Sequence, residues 1–330
     1  MKIAFFSSQP YDKVFFDKYN RNFQLEYYET ALDKHTVNVL NDTDVVCVFV
    51  NDKLTKEVIE LLHAKGVKII ALRCAGFNNV DLETAKRLNI AVCRVPAYSP
   101  GAVAEHTMAM LLTINRKIHK AYNRVREQNF SLNGLLGFNL HGKTIGIIGT
   151  GKIGKAFINI VKGFGSNILA YDLYPDKGLA AQGINYVPLD TLLKESDIIS
   201  LHCPLTPENH YLINEATLAK MKQGVTIINT SRGGLLNTAA VIDALKSKKV
   251  GALCIDVYEQ EEKLFFKDLS ENIIEDDNIQ RLMSFPNVLI TAHQAFFTEE
   301  ALSEIAQVTL NSVEKILDGT MSKEEDVMLA

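Results

Sequence analysis

Arg232, His293 and a pair of glutamates are of the residue types that hold carboxylates and move protons, and each follows an apolar run. Arg232 lies in Asn229-Thr-Ser-Arg-Gly-Gly, the acids in Asp256-Val-Tyr-Glu259-Gln-Glu261, and the histidine in Thr291-Ala-His293. A guanidinium set between a strand and a glycine turn is a planar, permanently charged fork suited to a carboxylate. Taken singly, such an Arg also fits, less well, a surface ion pair, and such a His fits a satisfied structural residue equally well. A His and several acids at neighbouring strand ends point instead to an acid–base pair, with a carboxylate orienting the imidazole.

A second constellation suits nucleotide chemistry. The apolar run Thr144-Ile-Gly-Ile-Ile ends in Gly149, Gly151 and Gly154, spaced G-x-G-x-x-G, and a helical pattern from Lys152 to Phe164 follows at once. Gly149 allows the tight turn, Gly151 lets backbone approach a pyrophosphate, and Gly154 lets helix and strand pack closely. The helix start at Lys152 and Ile153 offers free N–H groups to phosphate. The next apolar run ends in Asp172, where a carboxylate accepts hydrogen bonds from ribose hydroxyls and repels a 2′-phosphate, so the expected cofactor is NAD rather than NADP. Other strand ends supply further candidate cofactor contacts: Cys203, Pro204 and Asn209 on the adenosine side, then Thr230, Ser231, Arg232 and Asp256.

The elements that must position these residues read as alternating strands and helices. In the first hundred residues the strand candidates are Lys2–Phe6, Gln24–Tyr28, Val45–Val50, Lys68–Leu72 and Ala91–Val95. Helical spacing lies between them, which implies a mainly parallel sheet covered on both faces. Pro100 opens a long helical pattern running towards Tyr122, with His106 read as a packed or surface residue. Strand candidates then recur at Tyr186–Val187, Ile198–His202, Val225–Asn229, Leu253–Val257 and Val288–Thr291. This is a six-stranded doubly wound plan, whose ligands sit beyond the carboxyl ends of the strands.

Length and composition narrow the classes. The 330 residues suffice for two cores, and a net charge of −4 without a Lys/Arg-rich run gives no footprint for nucleic acid. Five cysteines, none in a C-x-x-C pair, form no metal pattern, and no apolar run is long enough to span a bilayer. The N-terminus lacks the apolar region of a signal peptide, so a cytoplasmic protein is expected.

Together the G-x-G-x-x-G with Asp172, His202-Cys-Pro-Leu-Thr, Asn229-Thr-Ser-Arg-Gly, Asp256-Val-Tyr-Glu-Gln-Glu and Thr291-Ala-His resemble the D-isomer-specific 2-hydroxyacid dehydrogenase family over essentially the whole chain. The resemblance implies that Arg232 binds the substrate carboxylate and that His293 is the acid/base. It also implies that Glu261, which closes its motif five residues beyond Asp256, is the carboxylate partner. Many members follow the histidine with a small residue and two glycines, whereas this chain has Gln294-Ala295-Phe296. With Arg73-Cys-Ala-Gly76, Tyr98 and the acidic stretch 264–281, that departure resembles the branch acting on D-lactate and pyruvate. Substrate contacts are then expected from Cys74, Ala75, Gly76, Tyr98, Arg232, His293 and Phe296.

The implied fold is α/β, with a Rossmann domain over 101–297 and a discontinuous flavodoxin-like substrate domain over 1–100 and 298–330. A cleft between them and a homodimer or higher homo-oligomer are further implications, and no metal is expected. Two other readings remain open on the residues: a dehydrogenase for a bulkier 2-keto acid, and an NAD-sensing, corepressor-like binding protein.

Overall fold

Val45-Val-Cys-Val and Ile69-Ile-Ala-Leu are buried at every position, as strands covered by helices on both faces must be. In the computed structural model, which describes residues 1–322 and 326–330, the chain forms two units: Met1–Ser99 with Phe296–Ala330, and Pro100–Ala295.

The smaller unit contains β1 (Lys2–Phe5), β2 (Gln24–Tyr27), β3 (Val45–Val48), β4 (Ile69–Leu72) and β5 (Ala91–Arg94). They pair in the order β2-β1-β3-β4-β5, all parallel, which is the flavodoxin-like order. The C-terminal tail returns along β5, where Met328 makes an antiparallel bridge to Cys93 and closes that edge to further pairing. Helix Glu299–Leu317 enters this unit behind Thr298, whose hydroxyl caps the Ala301 N–H at 3.2 Å.

The larger unit contains β6 (Thr144–Ile148), β7 (Asn167–Tyr171), β8 (Asn185–Tyr186), β9 (Ile198–Leu201), β10 (Val225–Asn229), β11 (Val250–Ile255) and β12 (Val288–Ile290). Their order, β12-β11-β10-β9-β6-β7-β8, is the Rossmann order with a seventh strand added beyond the six-stranded plan. All pairs are parallel. Successive strands wind outward from β6 first to one side and then, from β9, to the other.

One expectation needs correction. The helix from Pro100 stops at Arg116, because Lys117 adopts a left-handed backbone (φ +52°), and a separate helix runs Ile118–Arg126. The two compact units divide at 99/100 and 295/296, beside the expected 100/101 and 297/298. At the second division the buried Phe296 ring packs 6.0 Å from Phe49 and 6.1 Å from Tyr98, both in the smaller unit.

Candidate active site

Beyond the carboxyl end of β6, Gly149 turns the chain with φ +94°, and a Cβ there would lie 2.4 Å from the Cys203 nitrogen after β9. A Cβ on Gly154 would come 2.1 Å from the Gly149 carbonyl oxygen, so the first helical turn packs directly on the loop. Gly151 differs: a Cβ there meets nothing within 4 Å, so its backbone faces open space. The helix Lys152–Lys162 starts at once with no side chain capping its N-terminus. Uncapped N–H groups behind an unobstructed glycine are the cradle a dinucleotide pyrophosphate requires, and the residues present fit NAD.

Asp172, just past β7, faces this loop. One carboxylate oxygen accepts the Thr150 N–H at 2.6 Å and the Thr150 hydroxyl at 2.9 Å, and the other accepts the Tyr174 N–H at 2.9 Å. The Tyr186 hydroxyl donates in turn to Thr150 Oγ1 at 2.9 Å.

After β9 the loop is held by its own polar groups. The Asn209 amide donates to the Pro204 carbonyl at 2.7 Å, and its oxygen accepts the Thr206 N–H at 2.8 Å. Asn209 therefore shapes the loop, with both ends of its side chain committed there. The Ser231 hydroxyl donates to the Cys203 carbonyl at 2.6 Å and ties the β9 and β10 loops together. Burial pushes the Cys203 thiol up to about 11, which keeps it protonated at neutral pH. Thr230 is buried, and its hydroxyl pairs with that of Thr107 at 2.9 Å.

The proton-handling residues come together at the other half of the sheet. Asn229 pairs with Ile255 and Ile255 with Ile290, so β10, β11 and β12 end in register and their loops leave from one edge. Gly233 packs against the Tyr258–Glu259 backbone, where a Cβ would lie 2.1 Å from the Tyr258 carbonyl carbon. Arg232 is half-buried, donates to the Ser231 carbonyl at 2.7 Å, and forms no ion pair among the described residues. A guanidinium so placed retains donors for an incoming carboxylate.

His293 Nδ1 lies 2.8 Å from Glu261 Oε1. The second Glu261 oxygen accepts the Tyr258 N–H at 3.0 Å, which fixes the carboxylate's orientation. An ionised carboxylate only accepts, so Nδ1 carries hydrogen and Nε2 is left to exchange a proton with a ligand. Glu259 is engaged elsewhere, accepting from the Tyr211 hydroxyl at 2.9 Å. His293 itself is left-handed (φ +52°), a conformation that costs a non-glycine residue on the order of 1–3 kcal/mol.

Asp256, a candidate cofactor contact in the sequence, is fully buried. Its carboxylate accepts the Thr291 hydroxyl at 2.5 Å and the Gln294 and Ala295 N–H groups at 2.9 Å each. These bonds tie it to the turn that carries His293. Two neighbours of this carboxylate escaped the sequence reading, Thr291 and His106, whose Nε2 lies 3.2 Å from the Thr291 hydroxyl. The only trace of His106 there was its position on an amphipathic helix.

Cys74, Ala75, Gly76, Tyr98 and Phe296 all belong to the smaller unit. Arg73, immediately before Cys74, is buried and bonded to Asp12, the Ser7 carbonyl and the Cys47 carbonyl, so the segment starts from a fixed point. Among the described residues no group of His, Cys, Asp or Glu could hold a metal ion, and no helix is long and apolar enough to cross a membrane.

Comparison with known proteins agrees with this geometry. A family model for the D-isomer specific 2-hydroxyacid dehydrogenase NAD binding domain matches residues 108–295. A 2-hydroxyacid dehydrogenase homolog of Haemophilus influenzae is 56% identical, covering 97% of each chain. The D-lactate dehydrogenase of Escherichia coli K12 is 53% identical, covering 97% of this chain and 98% of the relative. The structure of D-lactate dehydrogenase from Aquifex aeolicus complexed with NAD and lactic acid superposes with a TM-score of 0.89 at 37% identity, covering 99% of this chain and 98% of that one.

Proposed function

The chain belongs to the D-isomer specific 2-hydroxyacid dehydrogenase family, and from that premise we propose that it is an NAD-dependent D-lactate dehydrogenase interconverting pyruvate and D-lactate. The observation that carries the chemistry is the 2.8 Å contact of His293 with Glu261, together with Arg232, which forms no ion pair among the described residues. NADH, when bound, supplies the hydride.

Arg232 holds the substrate carboxylate and polarises the keto oxygen, both of which its several donors allow. His293 delivers a proton from Nε2 to the developing alkoxide during reduction and takes it back during oxidation. Glu261 keeps the ring in the required tautomer and orientation. Gly149, Gly151, Lys152, Ile153 and Gly154 hold the pyrophosphate and Asp172 the adenosine ribose. The loops of Cys203, Pro204, Asn209, Thr230 and Ser231 line the rest of the cofactor. In the smaller unit we assign the substrate to backbone of Cys74–Gly76 and its size limit to the rings of Tyr98 and Phe296.

We also read the protein as a homodimer or higher homo-oligomer. Ile118, Tyr122, Val125, Phe130, Leu132 and Leu136 are all exposed large apolar side chains within one short stretch, more than a monomer usually presents to water. Five free cysteines fit a reducing, cytoplasmic setting.

NADH oxidation with a panel of 2-keto acids, followed by chiral analysis of the product, tests the proposal. Pyruvate is expected to lead the panel and to yield D-lactate. Preference for a branched keto acid would reassign the substrate. Absence of turnover with any of them would favour an NAD-sensing binding protein.

A further inference from the structure

We propose that His106 is a positioning residue for His293, acting across the larger unit through Thr291 and Asp256. The inference rests on the acid/base role assigned to His293 above. His106 lies on the helix Pro100–Arg116, with its side chain 18% exposed. Its Nε2 is 3.2 Å from Thr291 Oγ1 and 3.5 Å from Asp256 Oδ1.

Proton counting gives these contacts a direction. The Asp256 carboxylate accepts, so the single Thr291 hydroxyl proton goes to it, at 2.5 Å. Thr291 Oγ1 is then an acceptor towards His106, and the proton between them belongs to His106 Nε2. His106 therefore fixes the hydroxyl that in turn fixes the carboxylate.

Asp256 governs the turn carrying the reacting histidine. Its backbone oxygen accepts the His293 N–H at 2.7 Å, and its carboxylate accepts the next two N–H groups, of Gln294 and Ala295. Three consecutive backbone donors end on one residue. That over-determination is what a left-handed non-glycine residue needs in order to persist.

The carboxylate is fully buried, and among the described residues no Lys or Arg pairs with it; His106 Nε2 lies 3.5 Å from it. Burial acts to raise its pKa, yet hydrogen bonds from His106, Thr291 and Ala295 hold it below the usual carboxylate range. A buried ionised carboxylate is costly to leave short of donors. Removing His106 should therefore loosen the turn, and His293 with it, without touching Arg232 or Glu261.

The test is steady-state kinetics in both directions on the full chain for His106→Leu, His106→Gln, Thr291→Val and Asp256→Asn, and for the double variant His106→Leu/Asp256→Asn. His106→Leu removes the donor, and kcat is expected to fall roughly ten-fold, as for the loss of one buried hydrogen bond, with a smaller change in KM for the keto acid. Gln keeps an N–H at a similar reach and should recover most of the loss. Thr291→Val should reproduce it with side-chain volume retained, and decides the matter if the Leu variant does not fold. Because the route runs through Asp256, the double variant should be no slower than Asp256→Asn alone. Wild-type kcat in His106→Leu or Thr291→Val, a Gln variant no better than Leu, or additive losses would overturn the proposal. An inactive wild-type protein would instead overturn the dehydrogenase reading itself.

Discussion

Thr150 donates both its backbone N–H and its hydroxyl to a single oxygen of Asp172, so the glycine loop and the carboxylate at the end of the next strand are one locked unit. The second oxygen is held by Tyr174, and Tyr186 braces Thr150 from behind. In the function proposed above, a carboxylate so oriented offers its remaining acceptor positions to ribose hydroxyls and repels a 2′-phosphate.

Cofactor preference should follow from that geometry. Asp172→Ala or Asp172→Ser is expected to narrow the preference for NADH over NADPH, chiefly through KM for the cofactor. Tyr186→Phe, which removes only the brace, should narrow it less. The check is kcat/KM for both cofactors in all variants. Equal use of NADH and NADPH by the wild-type protein would sink this account of Asp172.

The glycines of the loop should separate into two kinds. Gly154→Ala forces a methyl to within 2.1 Å of the Gly149 carbonyl, and is expected to lower Tm in the absence of cofactor by several degrees. Gly151→Ala meets no protein atom within 4 Å and has an ordinary φ of −65°, so Tm should stay near wild type. Its methyl should instead obstruct the pyrophosphate and raise KM for NADH. Thermal denaturation without cofactor, beside cofactor titration, measures both. Equal Tm losses in the two variants would contradict the assignment.

Proton transfer should depend on Glu261 and not on Glu259. His293→Ala is expected to lose on the order of 10²–10⁴ in rate, the usual contribution of a positioned acid–base group. Glu261→Gln should lower kcat in both directions, because the ring loses its anionic partner while keeping a hydrogen-bonding one. Glu259→Gln should change little beyond its bond to Tyr211. Reduction consumes a proton and oxidation releases one, so the reductive rate should fall as pH rises and the oxidative rate as pH falls. Measuring kcat/KM against pH in both directions decides this, and a large loss confined to Glu259→Gln would transfer the role.

His202 should make stability depend on pH. Its ring sits against Phe157, Nε2 lies 2.9 Å from the Ser200 hydroxyl, Nδ1 is buried with no hydrogen-bond partner among the described residues, and burial pushes its pKa from 6.5 down to about 3. The folded pKa is depressed, so between these two values the unfolded chain binds the extra proton and stability rises with pH. The stabilisation is fully present above about pH 6.5 and is lost as pH falls, reaching on the order of 4 kcal/mol near the folded value. Denaturant unfolding between pH 4 and 7 should show a shallower slope for His202→Gln than for wild type. Parallel curves would show that His202 does not titrate on unfolding.

What the sequence determined by itself was everything carried by local pattern. Fully apolar runs alternating with helical spacing dictate parallel sheets, and a glycine loop between a strand and a helix, with Asp172 at the end of the next strand, dictates where a nucleotide goes. Arg232 and His293 were legible because strand ends are where such a sheet delivers its ligands. Glu261 and Glu259 are two residues apart in the stretch that follows β11, so the residues alone left both open. The turn at Glu261–Lys263 and the Tyr258 N–H decide which carboxylate meets the imidazole. The break at Lys117 carries no glycine or proline, so only a left-handed backbone in the folded chain reveals it. Phe296 joins the smaller unit because its ring finds Phe49 and Tyr98 there, a choice made by packing between segments far apart in the chain. His106 stands 150 residues before Asp256, and helical periodicity reports only which face is apolar. That its ring ends beside a buried carboxylate follows from the sheet's strand order, which brings the loops after β11 and β12 together against the helix Pro100–Arg116.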